Sequence, residues 1–384
     1  MPAANYIAIL KTSLLCLSLL ICLSLTGGCA SQPQKPGNAG LQNLSPAPIV
    51  PQAKQTKQLN PPVGAYQTAT VSGDYAQYPA LRQFIEEMEQ KHGFKREYLN
   101  SLFSQAKRKQ WTLDYLAKSD LSLKAKPAKG GWSRYRAQFL DARHINEGVA
   151  FWRKHHAALQ RAKAEYGVAP EYILGILAVE TGFGANVGNH RILDALTTLG
   201  FDYQRRGDYF RSELENFLLM TNTENIDPAQ PVGSFAGAMG LGQFMPSSFL
   251  SWAVDFNGDG HRDLWNPEDA IGSVANYFAQ HGWQTGQPVV SATRGNLLNA
   301  DSLEPGIETQ YSLNTLKQAG IEPAGNCRCD YPLRLILLRH QHQDEYLLGH
   351  PNFYAISRYN HSTYYVMAVH ELAQAIKNAY AAKS

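Results

Sequence analysis

Ala169-Pro170-Glu171-Tyr172-Ile173-Leu174-Gly175-Ile176-Leu177-Ala178-Val179-Glu180-Thr181-Gly182-Phe183-Gly184 is the stretch on which the fold turns. Pro170 suits the first turn of a helix, and Gly182 and Gly184 supply a stop, so the spacing predicts a helix of about three turns. Ile173, Ile176 and Leu177 recur at helical spacing, and the stripe they begin reaches Glu180. A carboxylate therefore falls on the buried face. Burial disfavours its charged form, and the helix C-terminus is the negative end of the macrodipole; both raise its pKa, which is how a general acid is made. A partly buried Glu held by an arginine or a backbone partner fits the same pattern, and the helix alone leaves both readings open.

The chain has 384 residues, enough for a sizeable core and two or three domains. Charged residues make up 17% and the net charge is +3, a balance that gives no reason to expect nucleic acid as a partner. Aromatic residues reach 11%, with 20 Tyr; exposed aromatics suit sugar rings, although most Tyr in any protein are packing residues. Of the five cysteines, Cys16, Cys22 and Cys29 lie in the N-terminal apolar segment. Cys327 and Cys329 form a C-x-C pair, too closely spaced for an unstrained disulfide and only half a zinc site, so a minor structural role is expected.

Residues 6–25 are mostly apolar, carry Lys11, and run into Leu25-Thr26-Gly27-Gly28-Cys29-Ala30. This is similar to a bacterial lipoprotein signal peptide, 1–28, with small residues before a Cys that receives lipid, although Thr26 stands where Leu is commoner. An ordinary secretory signal or an uncleaved anchor would export the chain as well. The lipoprotein resemblance makes Cys29 the mature N-terminus, and Ala30 then favours the outer membrane, with the folded body on its periplasmic face. Residues 29–75 are rich in Pro, Gln, Ala and Ser and read as a flexible tether reaching tens of Å.

Helical periodicity resumes with Leu81, Phe84, Ile85 and Met88, then Leu99, Leu102 and Phe103, and again from about Ile145 to Tyr166, giving a helical lobe over 76–168. Further helices are expected around Leu193–Leu196 and Asp208–Met220. Pro228 to Val254 carries no charge, but Gly233, Gly237, Gly240, Gly242 and Pro246 argue for tight turns around a cleft rather than a membrane span. Asp255-Phe256-Asn257-Gly258-Asp259-Gly260-His261-Arg262-Asp263 has oxygen side chains at positions 1, 3, 5 and 9 and Gly at 6, the spacing of an EF-hand loop. Position 12 is Asn266 instead of Glu, and Asp269 is the candidate replacement, giving a loop over 255–269; a metal-free Asx turn is the alternative. Asp269 to Trp283 reads as helix. Pro288–Val290, Thr309–Tyr311, Leu333–Leu338 and Tyr346–Leu348 read as short strands in a small β-containing domain, 286–356, before helix returns over 357–384. His340-Gln341-His342-Gln343-Asp344 imitates a metal motif but sits at an expected hairpin tip, where a solvated loop is the better reading.

With Val179-Glu180-Thr181, Gly233-Ser234-Phe235-Ala236-Gly237-Ala238-Met239-Gly240, Gly242-Gln243-Phe244-Met245-Pro246-Ser247-Ser248, the Asx-rich loop and Tyr359-Asn360 all in order, the sequence resembles the membrane-bound lytic murein transglycosylase B family from about residue 75 onward. The resemblance implies an α+β, mainly α-helical protein: a lysozyme-like catalytic core at 169–285, the helical lobe and the small β-containing domain. It implies peptidoglycan glycan strands as partner, cut between N-acetylmuramic acid and N-acetylglucosamine without water to leave 1,6-anhydro ends. Glu180 then serves as acid and afterwards as base, which explains why Asp194, Asp202 and Glu213 show no pattern placing them opposite it. The resemblance further implies Ser234, Gln243, Tyr277, Tyr359, Asn360, Tyr365, Tyr135 and Tyr209 in the substrate cleft, with Arg205 and Arg206 for substrate carboxylates. A structural calcium on Asp255, Asn257, Asp259, His261 through its carbonyl, and Asp269 is implied too, with no organic cofactor. A hydrolytic muramidase and an inactive peptidoglycan-binding scaffold are the competing readings.

Overall fold

The computed structural model describes residues 68–122, 129–295, 302–325, 327 and 329–382. The signal segment, Cys29 and most of the tether lie outside the described residues. Proline sets several helix starts, occupying the first turn of the helices Pro79–His92, Pro170–Thr181, Pro246–Trp252, Pro267–Gln280 and Pro351–Ser357, where no hydrogen bond is lost. Among the described residues no helix is long and apolar enough to cross a membrane.

The architecture is the expected α+β, mainly helical one. One apolar core runs from Tyr75 to Ile376 and takes in nearly every helix; Leu316, Ile321, Leu333, Leu335 and Leu348 make a small second core. At the centre lies the Pro170–Thr181 helix, packed by the helices Ala142–Lys154, His156–Tyr166, Pro267–Gln280 and Thr363–Ala381. All twelve of its residues are buried, which corrects the expectation of a one-sided stripe: surrounded by other helices, it has no solvent face. Glu171, at its start, is buried too and pairs with Lys377 at 2.7 Å.

Within the helical lobe, two helices and one break differ from the sequence reading. The helical stretch expected from 145 to 166 is two helices, Ala142–Lys154 and His156–Tyr166, because His155 leaves helical geometry at φ −111 and ψ 27. Helices Gln110–Ser122 and Gly131–Arg136 carry too few periodic apolar residues to stand out in the sequence.

Strands are short. β1 (His190–Arg191) pairs antiparallel with β2 (Val232–Gly233). A four-stranded antiparallel sheet has the order β4-β3-β6-β5, with β3 Val290–Arg294, β4 Glu322–Pro323, β5 Arg334–Arg339 and β6 Asp344–Gly349. Tyr311, expected in a strand, makes an isolated bridge to Leu333. His340 to Gln343 form the β5–β6 hairpin tip, as expected, and His340 bonds to Glu345 at 2.8 Å.

Cys327 and Cys329 lie side by side, and nothing in their geometry overturns the expectation that a C-x-C bridge would be strained. Cys327 N–H bonds back to the Gly325 carbonyl at 2.9 Å, and the two cysteine Cα atoms are 5.1 Å apart.

Candidate active site

Glu180 is the last residue but one of its helix and is 6% exposed. Gly182, at φ 57, ends the helix: its N–H bonds to the Ala178 carbonyl and that of Phe183 to Leu177, the paired closure of a left-handed cap. The Thr363–Ala381 helix reaches Glu180 because Gly175 has no side chain; a Cβ there would lie 2.8 Å from the Val369 carbonyl. Ser362 caps that helix by accepting from the Tyr365 N–H, which fixes Tyr365 in its first turn. Tyr365 then donates its hydroxyl to Glu180 Oε1 at 2.6 Å.

Burial pushes the Glu180 carboxyl up to about 8, the Tyr365 bond pulling the other way. No charged side chain is among these causes. At neutral pH the group is therefore mostly protonated and able to give a proton.

An aromatic wall continues from Tyr365. Its ring lies parallel to that of Tyr359, 6.5 Å away, and Tyr359 meets Tyr277 edge-on at 4.9 Å and Phe244 at 5.9 Å. The hydroxyls are anchored on backbone carbonyls, Tyr359 on Gly242 and Tyr277 on Arg358. Asn360 follows, 2% exposed, with neither side-chain nitrogen nor oxygen hydrogen-bonded to protein. Such a buried amide costs free energy unless something else satisfies it, so it points to a ligand or water. Tyr135 packs against Trp132, Phe139 and Tyr364, close enough for its charge to bear on Tyr365.

The glycine-rich run closes the other side. Thr181 Oγ1 donates to the Leu241 carbonyl at 2.8 Å and accepts from Gly184 N–H at 3.0 Å, tying the helix end to this loop. Gly188, at φ +92, lies so near Gly233 that any Cβ would collide with its backbone. Ser234 Oγ accepts from the N–H groups of Ala236 and Ala238, which leaves its hydroxyl proton to donate elsewhere. Gln243, held at φ 52, donates to the Val187 and Gly240 carbonyls at 3.2 and 3.0 Å.

The other nearby carboxylates have structural partners. Glu213 takes both the N–H and hydroxyl of Ser247, at 2.9 and 2.7 Å, and anchors the Pro246–Trp252 helix. Asp194 is gripped by Lys109 and Arg191, and Asp202 by Tyr78 and Arg108. Arg206 lies over the Tyr209 ring at 4.2 Å, and Tyr209 bonds to Glu213, so this group adjoins Ser247. Arg205 is exposed beside it. Thr181 and the Glu213–Ser247 pair carry no sequence signal of their tying roles.

In the Asx-rich loop, Asp255 accepts from the N–H groups of Gly258, Asp259 and Gly260, and Asn257 and Asp259 each accept from the N–H two residues on. Asp269, fully buried, reaches back to Phe256, Asn257 and Asp263 N–H groups. Asn266 is occupied as the cap of the next helix, accepting from Glu268 N–H. A carboxylate-rich oxygen donor set on a Gly-jointed loop fits a hard cation such as calcium. Leu241 N–H bonds to the Leu264 carbonyl at 2.9 Å, so this loop braces the Gly-rich run.

The Transglycosylase SLT domain family matches residues 76–374. The chain is 48% identical over 312 residues to membrane-bound lytic murein transglycosylase B of Escherichia coli, covering 80% of this chain and 85% of that protein. The Escherichia coli lytic transglycosylase SLT35 in complex with calcium superposes with a TM-score of 0.76 at 47% identity, covering 81% of this chain and 97% of that one. A more distant structure, Pseudomonas aeruginosa SltB3 in complex with NAG-anhNAM-pentapeptide, has a TM-score of 0.67 at 26% identity, over 78% of this chain and 79% of that one. The central helix with its buried acid, the aromatic wall and these likenesses agree: the chain belongs to the lytic murein transglycosylases, enzymes that degrade peptidoglycan.

Proposed function

We propose that Glu180 alone carries proton transfer in a water-free cut of the bond between N-acetylmuramic acid and N-acetylglucosamine. The observation that carries this reading is a buried carboxyl held by the Tyr365 hydroxyl, its pKa raised by that burial, with no second free carboxylate among the groups that act on it. Glu180 gives its proton to the glycosidic oxygen as the C1–O bond breaks, and the substrate's own acetamido oxygen bonds to C1. The resulting carboxylate, held by Tyr365, then takes the proton of the 6-hydroxyl while that oxygen attacks C1 and expels the acetamido group. The product is a 1,6-anhydro sugar, and Glu180 ends protonated again.

Ser234, Gln243 and Asn360 supply polar contacts to the reacting sugar, and Tyr277, Tyr359, Tyr365 and Tyr135 line the cleft. Arg205 and Arg206, with Tyr209, meet substrate carboxylates, since guanidinium pairs with them bidentately. Asp255, Asn257, Asp259, Asp269 and the His261 carbonyl hold a structural calcium. The chain is anchored by lipid on Cys29 to the periplasmic side of the outer membrane; the signal-like N-terminal sequence and the membrane-bound relative support this.

The test is mass spectrometry of muropeptides released from purified peptidoglycan by wild type and by Glu180→Gln. Products lighter by one water than hydrolysed muropeptides, absent with the variant, are expected. Reducing-end products would instead mean hydrolysis, and binding without any product would mean a scaffold.

A further inference from the structure

The described residues expose two large apolar side chains, Trp111 at 49% and Val232 at 41%, and both converge on the β1–β2 ribbon. Trp111 lies nearly parallel to the His190 ring of β1, 5.9 Å away, and to Tyr115 at 5.3 Å, with Phe235 edge-on at 5.8 Å. Val232 is in β2, whose next residue Gly233 pairs with His190. Ser234 and Phe235 follow directly, so the patch is continuous with the glycine-rich side of the cleft.

The array is rigid for an exposed group. Phe235 is 3% exposed and packs on both Tyr115 and Trp111. Just before the Trp111 helix, Lys109 is pinned twice, by its N–H to Thr198 and by its ammonium to Asp194 at 2.9 Å. Burial and the Lys109 charge lower the His190 pKa, so its ring is neutral and offers an uncharged stacking surface. The packing on these three rings stabilises the fold with one part of the indole and leaves about half of it, flat and pre-positioned, facing solvent; a patch of this kind marks a contact site.

We propose that Trp111, flanked by Val232, is a platform for a pyranose ring of the glycan strand beyond the two sugars that flank the cut. The apolar C–H face of a sugar packs on an indole, and the indole N–H can donate to a ring hydroxyl. This rests on the reading above that the cleft takes glycan strands. The platform makes the enzyme favour long strands over short fragments.

The experiment compares wild type, Trp111→Ala and Trp111→Tyr on two purified substrates, peptide-free glycan tetrasaccharides and glycan strands of more than eight sugars, measuring kcat/KM for each. Tryptophan fluorescence of the same proteins carrying Glu180→Gln, titrated with the long strands, reads binding without turnover. The expected result is a long-to-short preference that falls about tenfold in Trp111→Ala, largely restored in Trp111→Tyr, with the loss in KM. An unchanged preference, or equal losses on both substrates, would overturn the platform. So would a concentration-dependent dimer of wild type that Trp111→Ala abolishes, since the patch would then face a second copy. A wild type that cleaves neither substrate would instead sink the reading of the cleft itself.

Discussion

Tyr365 donates its phenolic proton to Glu180 Oε1 over 2.6 Å, joining two residues 185 positions apart in the chain. The bond has opposite effects on the two halves of the proposed reaction. It steadies the carboxylate formed after the first proton transfer and so makes Glu180 a stronger acid in the first half and a weaker base in the second.

Tyr365→Phe removes this donor and leaves the burial. The Glu180 pKa then rises above about 8, where burial already holds it. The alkaline limb of the pH–rate profile should move to higher pH while kcat falls roughly tenfold or more, since the acid is weaker. An alkaline limb that stays in place would show that another group titrates there.

Glu180 should also make the wild type less stable as pH rises. Its folded pKa of about 8 exceeds the ordinary 4.5, so the folded state holds the proton more tightly than the unfolded one. Stability relative to Glu180→Gln therefore falls between those two values by on the order of 1.4 kcal/mol per pH unit, and levels off above them. Urea midpoints of both proteins at pH 5, 7 and 9 check this; a difference independent of pH would mean that the carboxyl is ionised in the folded state.

Thr181→Val keeps the shape of the side chain and loses the hydroxyl's bonds to the Leu241 carbonyl and from Gly184 N–H, with its longer contact to the Leu177 carbonyl at 3.3 Å. Leaving these buried groups unpaired costs about 1–3 kcal/mol. Because the loop carrying Leu241 also carries Gln243, kcat should fall further than the loss of folded protein explains. Denaturant midpoint and kcat, measured on the same sample, separate the two effects.

Much of this site can be read along the chain because its parts are local. Pro170 and Gly182 bracket the central helix, and Gly233 to Ser248 and Asp255 to Asp269 are continuous runs with fixed spacing. What the sequence hides is long-range. Nothing around Glu180 announces that a helix two hundred residues later covers its remaining face, so a one-sided stripe was the natural expectation for a helix that is buried all round. Glu213 looks patternless because its partner, Ser247, is on another helix. Trp111 has no neighbouring motif; only the packing of β1 and Phe235 against it shows that its ring is held in place beside the β1–β2 ribbon.

Calcium removal should loosen the site without abolishing its chemistry. The Asx-rich loop reaches the cleft through the Leu264–Leu241 bond, and Leu241 in turn accepts from Thr181, the neighbour of Glu180. At about a hundredfold excess over Kd, a bound cation adds about 2.7 kcal/mol, a rise in Tm of roughly 5 °C for a protein of this size. Asp255→Ala removes a carboxylate that organises three loop N–H groups. Its Tm should lie near that of the chelated wild type and should not respond to calcium. Chelated wild type should retain measurable turnover with kcat lowered a few-fold, because Glu180 and Tyr365 do not depend on the loop for their own contact. Total loss of turnover on chelation, restored by calcium, would mean instead that the ion or its loop takes part in holding substrate.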